Sequence, residues 1–309
     1  MKGPARYYVV HETRYGYSQP VGLSRQLVRL CPRKLPFQRI ERYELTVTPK
    51  PDVLTEAEDA FGNPITSLCI ENDHESLSVR ASYWAEVAEH ALSREAESVT
   101  WESVKGRLAY RAGEPVGPED LDATRFLFES PRVRNKRDIA AWAAECFPPG
   151  ASLVGCALSL TRRIHKEFVF DPRATTVSTP VTEVFASRRG VCQDFAHFML
   201  SCLRSMGIPA RYVSGYLLTR PPPGRARLIG ADASHAWVSV YCPGFGWMDV
   251  DPTNGIPAGR EHVTIGWGRD YEDVAPLRGV LLGGGSHTID ISVTVAPEAE
   301  VPLLFGEVR

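Results

Sequence analysis

Two periodicities of apolar and polar residues divide this chain. From Tyr7 to about Ala91, apolar and polar positions alternate in short runs such as Tyr43–Thr48 and Leu77–Arg80, which are rich in β-branched and aromatic side chains. Alternation with a period of two is typical of a strand that has one buried face. Turns that contain Gly and Pro separate the runs. The pattern predicts an antiparallel β domain at the amino terminus, over residues 1–110.

A helical repeat follows a Gly- and Pro-containing stretch at about 92–135, where we expect the connection between two domains. Apolar residues then recur every three to four positions, which predicts helices. The predicted helices are Asp138–Cys146, Ser152–Phe168 and one that begins at Cys192. Strands are predicted at Ala210–Leu218, Ala236–Tyr241, Trp247–Asp251 and His287–Val295. Residues 111–309 are therefore expected to form an α+β core that includes the carboxy-terminal strands.

Composition narrows the classes of function. The 309 residues are 43% hydrophobic with a net charge of −2, so we expect a globular protein without a basic surface for nucleic acid or for an anionic membrane. No apolar run has the length of a signal peptide or a membrane span, and we predict a cytoplasmic location. The seven cysteines lack the paired spacing of disulfides or of zinc sites. We expect reduced thiols, no metal and no cofactor.

Cys192 is the cysteine whose surroundings suggest chemistry. Arg189 and Gly190 form a turn that leads into the predicted helix, so Cys192 falls on its first turn. Backbone N–H groups at a helix start have no partner within the helix and favour a nearby anion. This position suits a thiolate nucleophile. It also makes the Cys192 N–H a candidate donor to an oxyanion, with Gln193 as a second candidate.

A thiol nucleophile needs a base and a group that orients the base. His235 precedes one predicted strand, whereas Asp249 and Asp251 lie near the end of the next strand. Two neighbouring strands can bring a histidine and an aspartate together. Because residues two apart lie on the same face, the alternation alone leaves both aspartates in contention.

The motifs around these residues resemble the transglutaminase-like superfamily, in its bacterial branch that includes cysteine peptidases. They are Gly190-Val191-Cys192, Ser234-His235-Ala236-Trp237 and the stretch from Gly246 to Gly255. Further segments are similar to the same branch: Tyr7–Arg33 and Asp59–Asn63 to its β-rich amino-terminal region, Thr179–Ala186 to a helix before the nucleophile, and Gly268–Val274 to a carboxy-terminal motif. The resemblance implies a papain-like core and a triad of Cys192, His235 and Asp251.

The resemblance also implies acyl transfer through a thioester on Cys192, with a peptide, a protein or a small amide as substrate. Hydrolysis is the favoured outcome, as in cysteine peptidases and amidohydrolases. A crosslinking transfer to an amine is an alternative, since the same triad serves both reactions. A catalytically silent interaction module is another. No acidic cluster suggests a calcium site, so we expect metal-independent activity.

Other polar residues have less specific expectations. Asp194 is expected to stabilise the start of the Cys192 helix, and His197 to serve in packing or capping. The segment Arg269–Asp273 is expected either to contact substrate or to tie down a loop. The remaining histidines, His262 among them, are expected to be structural because the sequence shows no partner for them.

Overall fold

A computed structural model describes residues 3–90, 98–109, 116–220 and 227–306. Residues 91–97 and 110–115, which belong to the predicted connection, lie outside the described residues. The helices are α1 Trp101–Leu108, α2 Pro118–Thr124, α3 Arg137–Ala144, α4 Leu153–Glu167, α5 Val181–Ser187, α6 Cys192–Ser205, α7 Tyr271–Val274 and α8 Val301–Phe305. None of these helices is long and apolar enough to cross a membrane.

The strands confirm an α+β architecture with a β-rich amino-terminal region. They are β1 Ala5–Val28, β2 Gln38–Thr48, β3 Val53–Glu58, β4 Pro64–Ile70, β5 His74–Val87, β6 Val169–Phe170, β7 Arg189–Gly190, β8 Ala210–Leu217, β9 Ser234–Cys242, β10 Gly246–Asp251, β11 Ile256–Pro257, β12 His262–Gly268, β13 Leu277–Gly283 and β14 His287–Pro297. The helices and strands predicted between Asp138 and Asp251 are all present, with bounds that differ by a few residues.

The first sheet has the order β2-β5-β1-β4-β3, and it is antiparallel. Strands β13 and β14 also pair with β1, Tyr7 lying opposite Pro297 and Val28 opposite Leu277. The expectation that the carboxy-terminal strands join the catalytic core is therefore wrong. The 24-residue β1 is long enough to pair with β5 and β14 along its first half and with β4 and β13 along its last part. The division into two domains near residue 110 stays a prediction.

The second sheet has the order β11-β10-β9-β8-β12 and carries the site. Helices α3 to α6 pack on one side of it, where a large apolar core includes Phe198, Leu203 and Val238. A second apolar cluster joins the two sheets through residues such as Val9 and Tyr83 of the first and Val263 of the second. Burial of these side chains on both sides of the second sheet holds β8, β9 and β10 in place.

Candidate active site

The start of α6 presents Cys192 as its first residue, half-buried. Asp194 is buried, and its carboxylate accepts the Val191 N–H at 2.8 Å and the Thr175 hydroxyl at 2.6 Å. A side chain at Gly190 would place its Cβ 2.6 Å from that carboxylate, so glycine is needed there. The expectation that Asp194 stabilises the helix start is confirmed. The loop, the glycine and the aspartate together determine where the thiol lies.

His235 lies at the beginning of β9, opposite Gly215 of β8. The backbone is crowded here: a Cβ on Gly215 would lie 2.2 Å from the Val263 carbonyl oxygen and 2.4 Å from the Trp237 ring. Trp237 is fully buried, two residues beyond His235 on the same strand. The close packing of β8, β9 and β12 around this indole leaves little freedom to the strand that carries the histidine.

The His235 ring joins the other two members of the predicted triad. Its Nε2 lies 2.8 Å from Oδ2 of Asp251, and the Cys192 thiol lies within hydrogen-bonding reach of the same ring. Since Nε2 is engaged with Asp251, Nδ1 is the nitrogen left for the thiol. Burial disfavours the charged ring, but hydrogen bonds with Asp251 and Cys192 outweigh burial and raise the pKa of His235 to about 10. The arrangement suits proton transfer between sulfur and imidazole.

The structure separates the two aspartates that the alternation left open. Asp251 is fully buried and contacts His235. Asp249 instead accepts the Trp237 indole N–H at 3.2 Å and lies near the Arg211 guanidinium. Although the two are only two residues apart, Asp251 is therefore the one placed to orient His235.

The Asp251 carboxylate has several hydrogen-bond donors besides His235. Oδ1 accepts the backbone N–H groups of Thr253 at 2.9 Å and Asn254 at 3.2 Å. Oδ2 also accepts the Asn254 side-chain amide at 2.7 Å and His262 Nε2 at 3.2 Å. Burial would raise the pKa of Asp251, but the bonds from His235 and His262 hold that pKa well below its usual range. Asp251 therefore keeps its negative charge inside the protein.

His262 is the residue of this site that the sequence did not reveal. It is buried at the start of β12, and its expected lack of a partner is wrong. Its Nδ1 accepts the Gly259 N–H at 3.3 Å, so Nε2 carries the hydrogen that Asp251 accepts. The sequence holds no local sign of this contact, because β12 is not adjacent to β10 in the sheet.

His235, Asp251 and His262 also form a group that could surround a metal ion, since their ligand atoms lie within 4.8 Å of one another. Metal binding by either imidazole would require Nε2 to lose its hydrogen. For His262 this change would also cost the bond from Gly259, because Nδ1 would then carry the hydrogen. The hydrogen bonds of this group therefore favour a proton network over a metal centre.

Two further side chains lie close to Cys192. The Gln193 side-chain amide donates to the Val177 carbonyl at 3.3 Å. The side chain considered as a second oxyanion donor is therefore already engaged. Among the described residues, none accepts a hydrogen bond from the Cys192 backbone N–H. The buried Tyr212 lies near the sulfur; burial first, and then the proximity of Cys192, raise its pKa well above the ordinary value. Tyr212 therefore stays a neutral phenol beside the thiol.

The segment Arg269–Asp273 forms contacts that tie down its own loop. Arg269 pairs with Asp273 through two guanidinium nitrogens, at 2.9 and 3.0 Å. Asp270 accepts the Arg132 N–H at 2.9 Å, and the Tyr271 N–H donates to His197 Nε2 at 3.2 Å. Burial lowers the pKa of His197 to about 3, so this ring is a neutral acceptor. The predicted packing and capping role of His197 is confirmed.

Family profiles match both halves of the chain. The profile described as the bacterial transglutaminase-like N-terminal region matches residues 7–86. The profile described as the transglutaminase-like superfamily matches residues 140–252, which include Cys192, His235 and Asp251. The sequence resemblance therefore extends over the β-rich region and over the core.

Individual relatives and one solved structure agree. An uncharacterized protein of Mycobacterium tuberculosis is 36% identical over 302 residues, which are 96% of this chain and 94% of that protein. One of Mycobacterium leprae is 31% identical over 293 residues, 94% of this chain and 98% of that protein. A protein-glutamine gamma-glutamyltransferase of Pseudomonas aeruginosa is 36% identical over 103 residues, 31% of this chain and 15% of that protein.

The crystal structure of a candidate cysteine protease from Cytophaga hutchinsonii has a TM-score of 0.73 with 21% identity, covering 96% of this chain and 92% of that chain. At this identity the likeness concerns the fold. On the profiles and on relatives that cover nearly its whole length, this chain belongs to the transglutaminase-like superfamily.

Proposed function

We propose that this protein is a cysteine-dependent acyl-transfer enzyme that cleaves amide or peptide bonds through a thioester on Cys192. The observation that carries the proposal is the geometry at His235, whose ring binds Asp251 at 2.8 Å and has Cys192 within reach. This arrangement of nucleophile, base and orienting group is the one that thiol acyl transfer requires. The substrate class is a peptide, a protein or a small amide.

In the proposed reaction, the proton of the Cys192 thiol has already passed to His235, whose raised pKa keeps the ring charged, and the thiolate attacks the amide carbonyl carbon. A C–S bond forms, and the carbonyl π electrons move to oxygen. Because the pKa of His235 is raised to about 10, the ring keeps the proton until the C–N bond breaks and the leaving amine takes it. Water, deprotonated by the same ring, then attacks the thioester and releases the acid.

Two groups support the charges that develop during this reaction. Asp251 is ionised and buried, so it holds the Nε2–H side of the imidazole and stabilises the charged ring. The Cys192 backbone N–H lies at the start of α6 and can donate to the oxyanion of the tetrahedral intermediate. Neither role requires a metal ion, and we expect activity in the presence of a chelator.

Transfer to an amine is the second candidate. Transfer to an amine is favoured by the likeness to a protein-glutamine gamma-glutamyltransferase over 103 residues, although the matched stretch is only 15% of that relative. The chemistry differs only in whether water or an amine reaches the thioester first. A cytoplasmic location for this reaction stays a prediction.

Incubation with glutamine-containing peptides and a labelled primary amine tests the proposal. We expect release of ammonia or of a peptide fragment, with little incorporation of the amine; stable incorporation would favour the second candidate. Iodoacetamide should label Cys192 at neutral pH, and Cys192→Ala should abolish turnover. Cys31→Ala is the matched control, because Cys31 is also a half-buried free thiol but lies in the first sheet region.

A silent module predicts a different outcome. In that case Cys192 would resist alkylation at neutral pH, and Cys192→Ala would leave every measured activity unchanged. Mass spectrometry of the wild-type protein after brief exposure to a peptide library adds a direct readout, because an acyl group on Cys192 changes the mass of one tryptic peptide.

A further inference from the structure

A small pocket of about 230 Å³ lies between the segment that leads into α3 and the segment that leads into α5. Its polar lining consists of three cationic side chains and three hydroxyl side chains: Arg132, Arg134, Lys136, Ser178, Thr179 and Thr182. No carboxylate is among the described residues that line it. A pocket of this volume suits one side chain or one terminal group, since sites for larger ligands start at about 300 Å³.

The pocket adjoins the start of the Cys192 helix. Val177 accepts the side-chain amide of Gln193 at 3.3 Å, and Thr175 donates to Asp194 at 2.6 Å. Gln193 directly follows Cys192, and the pocket-lining Ser178 directly follows Val177. Residues 175–177, directly before the pocket lining, are therefore held against the first turn of α6 by two side-chain hydrogen bonds.

The cationic groups differ in how far they are neutralised. Arg132 is paired with Glu272, which accepts from its Nε at 2.8 Å. Arg134 contacts Glu129 at 3.3 Å, and both side chains are largely exposed. Lys136 is exposed, and no carboxylate of the described residues lies within ion-pair distance of it. Lys136 is thus the cation of the pocket without an ion pair among the described residues, although the pKa of the nearby Glu129 is lowered by the Asn135 N–H and, more weakly, by the Lys136 charge. Hydroxyl groups that can donate hydrogen bonds lie beside it, and those of Ser178 and Thr179 also contact Thr176.

We propose that this pocket is a subsite for a carboxylate of the acyl-donor peptide, which Lys136, with Arg134, attracts and the hydroxyl groups bind. The proposal rests on the proposed function and adds a preference to it. The carboxylate has two possible sources, an acidic side chain near the reacting amide or the free carboxyl terminus of the peptide. Charge complementarity of this kind selects among substrates more than it adds affinity.

Acetylated hexapeptides with one glutamine distinguish the sources. In one series a Glu is moved through each position around the glutamine, with Ala as its neutral counterpart and the carboxyl terminus amidated. In a second series the peptide lacks Glu and the carboxyl terminus is free or amidated. We expect a carboxylate at one of these places, either a Glu side chain or the free carboxyl terminus, to raise kcat/KM about three- to tenfold over the neutral counterpart. This gain should fall in 0.5 M NaCl, because salt screens exposed charges.

The variant Lys136→Glu should remove or reverse this preference while leaving kcat/KM for the neutral peptides within about twofold. Lys50→Glu is the matched control, since Lys50 is also exposed but follows β2 in the first sheet and does not line the pocket. Equal rates for all peptides, or a preference that persists in Lys136→Glu, would overturn the proposed subsite.

Failure of the proposed function can be told apart from failure of the subsite, because in the first case no peptide would be turned over. In that event, calorimetric titration of Cys192→Ala with the same peptides still tests the pocket. Tighter binding of the carboxylate-bearing peptide, lost on adding Lys136→Glu, supports the subsite. Binding that does not depend on the carboxylate contradicts it.

Discussion

His262 Nε2 donates to the same carboxylate oxygen of Asp251 that binds His235, at a distance of 3.2 Å. The His262 tautomer is set by the Gly259 N–H on its other nitrogen. Asp251 is thus held between two imidazoles, one of which faces Cys192. In the proposed mechanism His262 does not touch the reacting groups, and its role is to position the aspartate that orients the base.

Replacement of His262 should therefore lower kcat by about 10- to 100-fold, since a hydrogen bond to a charged group contributes about 1.5–3 kcal/mol. We expect this from His262→Ala, with KM little changed. His262→Gln should restore most of the activity, because its amide nitrogen can replace the Nε2 donor. Steady-state kinetics of both variants provides the check, and equal losses in the two would indicate a purely steric role.

The two aspartates of β10 should respond differently to loss of charge. Asp251→Asn is expected to lower kcat by about 10²- to 10⁴-fold, because an amide cannot stabilise the charged His235 ring. Asp249→Asn should keep kcat within about tenfold, since it can still accept the Trp237 N–H and lies away from His235. Initial rates, measured after thermal unfolding has shown both variants to be folded, make the comparison. A larger loss in Asp249→Asn would reassign the third member of the triad.

The protonation of His235 should depend on Asp251. The raised pKa means that His235 is charged at neutral pH and loses its proton only near pH 10, so activity should fall at that alkaline limit. Removal of the Asp251 charge takes away one cause of the raised His235 pKa, so the titration of His235 in Asp251→Asn should move to lower pH. NMR of histidines labelled at Cε1 measures this, with His235→Gln to assign the signal. An unchanged titration in Asp251→Asn would contradict the coupling.

Acid should destabilise the fold through buried neutral histidines. His11, which bonds the Tyr216 hydroxyl at 2.7 Å and so links β1 to β8, has its pKa lowered by burial to about 4. Between pH 6.5 and 4 the unfolded chain binds a proton there that the folded chain does not, so stability decreases as pH falls. We expect His11→Gln to reduce this decrease by about 1–3 kcal/mol.

Urea unfolding at pH 6.5 and pH 4.5 measures the change. His235 does not mask it, because a raised pKa alters stability only above pH 6.5. His287→Gln is the control, since His287 is exposed. An equal decrease in wild type and His11→Gln would exclude His11 as the cause.

Gly215 should tolerate no side chain. Gly215→Ala is expected to destabilise the fold by about 1–3 kcal/mol, because the added Cβ collides with the Val263 carbonyl and the Trp237 ring beside His235. Gly106→Ala is the matched control: Gly106 lies exposed in α1 with nothing near its Cβ, and Ala should stabilise the helix by up to about 1 kcal/mol. Denaturant midpoints of the two variants should therefore shift in opposite directions.

Local patterns predicted most of the elements that carry the site. The apolar repeat and the glycine at position 190 located the helix that begins at Cys192, and alternation located β9 and β10, because these signals lie within a few residues of one another. The choice between Asp249 and Asp251 came from resemblance to a family. Alternation could not make it, since both residues share a face of the strand.

The sequence by itself thus determined the main helices and strands between Asp138 and Asp251, the family, and the three residues of the proposed triad. Only the tertiary structure decided that His262 binds Asp251, that β13 and β14 complete the first sheet, and that Lys136 and Ser178 line one pocket near the nucleophile. The physical reason is the distance along the chain over which each kind of signal acts. Periodicity reports which face of an element is buried, whereas pairing between distant strands and loops depends on the packing of the whole chain.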